Sequence, residues 1–444
     1  MTWVPSFIRS IVKGSGEQTR IVYAWELPSI MRKHIVTGAM GSTYFILLSG
    51  MYLVAFGNDI GMKYWQWGLL AWASSFAQGF QLVSAYAVRR SGYRRSLWFA
   101  AALTGRVLRG CAILAGFVLF RLSPGLASAA FMMLLVLGNC FDAIATPPWI
   151  SWLASIIPKE EHGRFMGRRS AWIAFANVCA VVPIGYAVDR YSGEGMMPAL
   201  LTVFGFALAL GIVDLLIHRT IPEPQMAEAS VRPLRLELAI PLSDRSFRPW
   251  LFFNALWTFG MTLGGSMATI YFVENLGIRR NFFGGSLVLL LVPMVGTMVM
   301  GRWVGSMVDR HGVKPVMRWG HRLWAMLPLF WIAATPSTAM LWLGLGAFVA
   351  GLGSEAGLNA ANKLITRVRA PDRIPMYTAV SSCVGSLSGG VGALIAGLSL
   401  QALEHMSFTV GGMTVVGFHV LFFASFVLRT SAILAIRRIP GRRR

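Results

Sequence analysis

Charge is scarce in this chain of 444 residues: only 13% are Asp, Glu, Lys or Arg, against about 25% in a typical soluble protein. So few charges cannot cover a water-facing surface of this size, which excludes a soluble fold. Negative charge is scarcer still. There are 18 acidic residues against 40 basic ones, leaving +22, a balance that in a soluble chain points to nucleic acid. The general lack of charge removes that interpretation, and no nucleic-acid partner is expected.

Cysteine is nearly absent. Cys111, Cys140, Cys179 and Cys383 stand singly in apolar stretches without CxxC spacing, so they read as packing thiols, with neither a disulfide framework nor a metal site. The sequence also lacks HExxH, a histidine cluster at metal spacing, a Ser-His-Asp candidate within its apolar runs, and any glycine run followed by Lys-Ser or Lys-Thr. An enzyme is not expected, nor a cofactor, nor a nucleotide site to drive pumping. Residues 1–33 are mixed and basic, with no apolar core ahead of a small-residue cleavage site. No secretory signal is expected there, and the first apolar run should stay in the membrane.

Apolar residues are abundant: 55% of the chain is hydrophobic and mean hydropathy is +0.60. Crossing a hydrocarbon core of about 30 Å takes roughly 20 mainly apolar residues. Twelve runs of that kind lie near 34–56, 65–87, 97–120, 126–154, 170–188, 196–217, 250–273, 282–304, 316–335, 338–362, 375–399 and 413–436. With both termini in the cytoplasm, 31 of the 40 Lys and Arg fall on the inner side and 5 on the outer. That asymmetry is what the positive-inside rule demands of a multi-pass protein of the cell (inner) membrane. The excess charge orients the chain in its lipid bilayer.

The halves repeat. Gly138, Asp142, Ala143 and Pro158 map onto Gly351, Glu355, Ala356 and Pro371 at a constant offset of 213. Gly61 and Gly68 map onto Gly277 and Gly284 at 216, and Arg90, Gly92 and Arg94 onto Arg310, Gly312 and Lys314 at 220. Between the halves, 219–249 carries Pro222, Pro224, Pro233 and Pro241, as expected of a linker. The expected organisation is an N-terminal arm at 1–33, a bundle at 34–218, a cytoplasmic linker at 219–249, a second bundle at 250–436 and a basic tail at 437–444.

The loop after the eighth run reads Gly305-Ser-Met-Val-Asp309-Arg310-His-Gly312-Val-Lys314, which resembles motif A of the major facilitator superfamily. The matching loop of the first half has Arg89, Arg90, Gly92, Arg94 and Arg95, but Arg89 stands where the motif has Asp and Ala85 where it has Gly. Pro158-Lys-Glu-Glu-His-Gly163-Arg164, followed by Gly167, is similar to the family's loop between spans four and five. The resemblance covers about 34–436. It implies an all-α membrane protein with 12 transmembrane helices in two pseudo-symmetric six-helix bundles, a central cavity lined by spans one, four, seven and ten, and motif A loops acting as a conformational latch. The departure at Arg89 puts the first-half latch in doubt, and its basic residues also read as plain topology determinants. In span five, Val182-Pro183-Ile184-Gly185 is a poor match to the glycine-rich signature of the family's antiporters, which weakens an efflux reading.

Charges inside the runs are the ones topology leaves unexplained, because each costs roughly 2.5–3.5 kcal/mol at a helix centre. Asp142 in span four and Glu355 in span ten occupy equivalent repeat positions. Arg106 and Arg109 in span three bracket the depth of Asp142, so a pair of Asp142 with either is expected. Arg322 is about 9 Å short of the depth of Glu355 at 1.5 Å per residue, and its pairing with Glu355 is less secure. Two interpretations stand for each carboxylate: a cavity group that binds a proton or solute, or a salt bridge that fastens helices. Asn139 and Asn359 accompany them at one helical turn, and Tyr44, Gln78, Gln81, Asn254 and Trp257 are further candidates to line a pocket for a hydroxylated or zwitterionic solute, or to bond between helices. Asp214 and His218 read as an interfacial i, i+4 pair, and His419 as a packed histidine. Pro147-Pro148 should break the hydrogen-bond ladder of span four close to Asp142.

Together these features point to a monomeric secondary transporter that moves a small-molecule substrate, coupled to a proton or cation gradient. A non-transporting receptor or assembly factor on the same fold, or an efflux pump for lipophilic compounds, is the alternative.

Overall fold

The computed structural model describes residues 22–91, 94–191, 195–224, 234–368, 374–410 and 413–439. Almost all of them are helical. The helices are α1 (Leu27–Leu47), α2 (Gly50–Asp59), α3 (Tyr64–Ala77), α4 (Phe80–Ser91), α5 (Arg95–Phe120), α6 (Pro124–Ile156), α7 (Lys159–Asp189), α8 (Met196–His218), α9 (Leu234–Ser243), α10 (Arg248–Glu274), α11 (Phe282–His311), α12 (Val313–Ala325), α13 (Leu327–Ala333), α14 (Ala339–Val368), α15 (Ile374–Ala402) and α16 (Gly417–Ala435). Nine helical stretches among the described residues are long and apolar enough to cross a membrane, which makes this a multi-pass membrane protein.

The nine cover all but three of the expected runs. Residues 65–87 are divided between α3 and α4, 316–335 between α12 and α13, and α10 covers 250–273 without reaching the same apolarity. One boundary needs correction. Met413–Val416 is not the start of the last span but a strand, β2, paired antiparallel with β1 (Ser407–Val410) in the register Ser407 to Val416. Its residues, Met-Thr-Val-Val, are apolar and β-branched, so they extend the apolar run of α16 while favouring a strand.

The described chain forms two compact units that do not follow chain order. One holds residues 22–61, 77–181 and 195–224; the other holds 62–76, 182–191 and everything described from 234 onward. In the second unit, α3 meets α15 where Gly68 faces Gly397 so closely that a Cβ on Gly68 would lie 2.8 Å from the Gly397 Cα. Asp189, at the end of α7, accepts from the backbone N–H groups of Phe282 at 2.6 Å and Phe283 at 2.9 Å, capping α11.

Gly61 and Gly277, paired landmarks of the sequence repeat, both adopt left-handed backbone, φ +85° and +77°. Glycine makes that conformation inexpensive.

Prolines inside helices free carbonyls that lipid cannot satisfy. Both units meet this need with a side chain from a neighbouring helix. Pro148 removes the donor for the Ile144 carbonyl, four residues back in α6, and Ser84 Oγ of α4 donates to that oxygen at 2.6 Å. Pro328 does the same to the Trp324 carbonyl at the α12–α13 break, and Arg429 Nη1 of α16 donates to it at 3.3 Å. Ser84→Ala is expected to lower the unfolding free energy by about 1–3 kcal/mol, the cost of one orphaned buried acceptor. Ser84→Thr keeps the hydroxyl and should unfold near the wild-type temperature in detergent; equal loss in both variants would contradict the capping role.

Candidate solute cavity

In the first unit, α1, α5, α6, α7 and α8 surround a cavity of about 460 Å³. Thr37, Gly38, Gly41 and Ser42 line it from α1, Trp98 and Arg106 from α5, and Ala145, Thr146 and Trp149 from α6; Arg169 and Ile173 come from α7, and Asp214 and His218 from α8. Its volume falls within the range of small-ligand sites, about 300–1,000 Å³. The walls mix indole rings with three ionisable side chain types.

The two arginines of α5 diverge. Arg106 Nη2 pairs with Asp214 of α8, not with Asp142, while Arg109 pairs with Asp142 of α6 at 2.5 Å through Nη2 and 3.1 Å through Nε. Arg109 Nη2 also donates to Asn139 Oδ1 at 2.6 Å. The Asp142 side chain remains 34% exposed although Arg109 is only 6% exposed, so this carboxylate keeps one open side.

Asp214 and His218 form the expected i, i+4 pair and are buried, 2% and 3% exposed. Asp214 Oδ1 accepts from His218 Nδ1 at 2.8 Å, and His218 Nε2 lies 3.3 Å from the Thr37 hydroxyl. His34 stacks edge-on to His218 with centroids 5.5 Å apart. Burial arises because the chain after α8 folds back over the helix end: Trp152 Nε1 donates to the Pro222 carbonyl at 2.9 Å, and Ile221 is fully buried.

Tyr44 is buried beneath Arg106, whose guanidinium lies 5.2 Å from the ring centroid. The Tyr44 hydroxyl and Arg106 Nε and Nη1 have no hydrogen-bond partner among the described residues. Room for these charges comes from glycines. A Cβ on Gly211 would meet Arg106 Nε at 3.1 Å, on Gly105 the Asp142 Oδ1 at 2.8 Å, on Gly41 the Asp214 Oδ2 at 3.1 Å, and on Gly38 the Arg169 guanidinium at 2.9 Å or less.

The other expected site residues lie elsewhere. Glu355 Oε1 accepts from Asn359 Nδ2 at 2.5 Å, whereas Arg322 is exposed and makes no ion pair with Glu355 among the described residues. Asn254 donates to the Ser381 carbonyl at 2.8 Å. Trp257 is core, 4% exposed, with its ring 4.5 Å from that of buried His321 and 5.4 Å from Trp324. Gln78 and Gln81 bond to each other at 2.5 Å at the α3–α4 break. His419 packs against Tyr271, its Nε2 3.1 Å from the hydroxyl.

Among the latch candidates, Gly92 and the side chains of Arg89 and Arg90 lie outside the described residues. Arg94 is 1% exposed and its backbone N–H donates to Glu223 Oε1 at 2.7 Å, its Nε to the same oxygen at 3.4 Å and its Nη1 to the Ser151 carbonyl at 3.3 Å; Nη2 bonds the Pro224 carbonyl. The Arg95 N–H donates to Glu223 Oε2 at 3.3 Å, and its Nη1 to the Ile221 carbonyl at 3.1 Å. In the second unit Asp309 faces Lys363 Nζ at 3.8 Å on an exposed surface, a pair worth at most about 1 kcal/mol. Gly312, at φ +85°, makes the sharp turn from α11 to α12, with Arg310 exposed and Lys314 half-buried beside it and Gly305 free of close neighbours.

No family model matches the sequence, and no curated protein does. Solved structures do match. The chain is similar to the nucleoside transporter NupG, with a TM-score of 0.67 and 10% identity over 92% of this chain and 98% of that one. It is similar to a D-xylose-proton symporter, with a TM-score of 0.65 and 14% identity over 93% and 98%. A bacterial homologue of the iron transporter ferroportin, in its inward-facing state, gives 0.62 at 14% identity over 95% and 100%. At such low identity the likeness establishes the fold, and this chain has the fold of the major facilitator transporters.

Proposed function

We propose that the chain is a secondary active transporter that moves a small solute across the cell (inner) membrane by alternating access. In this reading it is a monomer that crosses the bilayer twelve times as two pseudo-symmetric six-helix bundles, with both termini in the cytoplasm and without cofactor or catalysis. The observation that carries it is the cavity of about 460 Å³ walled by Arg106, Asp214, His218 and Arg169 among apolar helices. Ionisable groups are expensive at membrane depth, and holding them around an open space is sensible where a polar solute enters it. A nucleoside transporter and a xylose-proton symporter on the same fold support a small polar solute and a proton gradient as the driving force.

The coupling groups proposed are Asp142 and Glu355. Asp142 keeps an open side beside Arg109, and Glu355 has an amide rather than a cation against its carboxylate; each can take up a proton as the solute site changes its exposure. Asp142→Asn and Glu355→Gln are therefore expected to lower proton-driven uptake into proteoliposomes at least tenfold in one or both cases. Solute counterflow, which needs no net proton movement, should persist. If both variants accumulate solute as the wild type does across sugars, amino acids, organic anions and lipophilic compounds, proton coupling through these carboxylates is wrong.

A further inference from the structure

We propose that the solute is a small organic monoanion whose carboxylate is held by Arg169, an inference that rests on the transport reading above. Charge accounting leads there. The acidic and basic side chains in and beside the cavity include Arg106, Arg109 and Arg169 against Asp142 and Asp214, with His34 and His218 facing them from α1 and α8. Arg109 is matched by Asp142 and Arg106 by Asp214. Arg169 pairs with no carboxylate among the described residues. Its Nε donates to the His34 carbonyl at 3.2 Å, and its guanidinium lies over the Trp149 ring, 4.9 Å from the centroid. Arg169 is thus the one guanidinium on these walls without a carboxylate partner among the described residues, a situation that an anion relieves.

Arg106 does not share this role: its Nη2 is taken by Asp214, and its Nε and Nη1 are sealed from the open space. Thr37, Ser42 and Thr146 add hydroxyls on the same walls, while Trp98, Trp149 and Ile173 supply apolar surface for the rest of the solute. One unmatched guanidinium favours a carboxylate, at −1, over a phosphate monoester, at about −1.5 to −2.

The test uses the purified full-length protein in detergent and matched pairs of probes that differ in charge but little in shape: benzoate against benzamide, and lactate against lactamide, with phenyl phosphate as a third anion. Binding is read from unfolding temperature and by calorimetry. At least one carboxylate should bind at least about tenfold more tightly than its amide, because a charge-assisted bidentate contact contributes about 1.5–3 kcal/mol. Arg169→Gln should remove that preference and Arg169→Lys should keep part of it; the matched pairs in wild type decide the question even if a variant fails to fold. The proposal is overturned if the amides bind as well as the acids, if phenyl phosphate outcompetes both carboxylates, if no anion binds, or if folded Arg169→Gln retains the preference. Counterflow of neutral sugars or amino acids in the same protein would uphold the transport reading while sinking this one, and the absence of transport of any solute would sink the transport reading itself.

Discussion

Asp214→Asn is expected to be strongly destabilising. Asp214 is the shared acceptor of Arg106 and His218, and all three are at least nine-tenths buried. Replacing the carboxylate by an amide leaves the Arg106 guanidinium, which has two further donors already unpaired, with no counter-charge. Removing one partner of a buried pair costs about 3–5 kcal/mol, a large part of the 5–15 kcal/mol that holds a domain folded. Arg106→Gln should cost less, because Asp214 keeps its 2.8 Å bond to His218. The order of the two variants is thus predicted, not only the presence of an effect. The double variant, carrying two neutral amides, should be less damaged than the sum of the singles by more than about 1 kcal/mol. Unfolding midpoints in detergent measure all three; an Asp214→Asn protein as stable as Arg106→Gln would refute this account of the network.

The helices were legible because a membrane span announces itself by length and apolarity, and the charged residues within them stood out for the same reason. Which charge meets which did not follow. Arg106 and Arg109 are three residues apart, which at about 100° per residue sets their side chains roughly 60° apart around the helix. That offset is small enough to suggest one shared partner and large enough to direct one arginine to α6 and the other to α8. Asp214 sits one turn from the end of α8, where composition does not mark a buried position. Its burial depends on residues 219–224, which a proline-rich composition marks as linker but which Trp152, Arg94 and Arg95 tie down. Contacts between positions more than 60 residues apart leave no local pattern, so Arg169 and Asp214 went unnoticed as wall residues. Trp257 shows the opposite error: an aromatic residue on an expected cavity helix is a core residue here, because His321 and Trp324 of α12 face it.

The same fold-back yields the second large effect, at Glu223. The first-half loop that resembles motif A lacks its acidic residue, having Arg89 at that position, yet Arg94 and Arg95 are not left without one. Glu223, 5% exposed, brings a carboxylate in from the segment after α8 and takes the backbone N–H groups of Arg94 and Arg95 together with the Arg94 guanidinium. One side chain thereby ties the start of α5 to the end of α8, and Arg94 extends the tie to α6 through the Ser151 carbonyl. Glu223→Ala leaves two backbone donors and a buried guanidinium short of an acceptor, a loss of about 3–5 kcal/mol. Glu223→Gln keeps an acceptor oxygen for one N–H and should lose about half as much. Local opening should precede global unfolding, because the loss falls on one short segment beyond the end of a helix. Limited proteolysis after Arg219 is therefore expected to accelerate in Glu223→Ala well below its unfolding temperature, and solute counterflow to slow or stop as the closure over Asp214 and His218 is lost. Unchanged cleavage and unchanged counterflow in a folded Glu223→Ala protein would show that the tie is incidental. Faster cleavage with normal counterflow would confine its role to stability and separate this segment from the transport cycle.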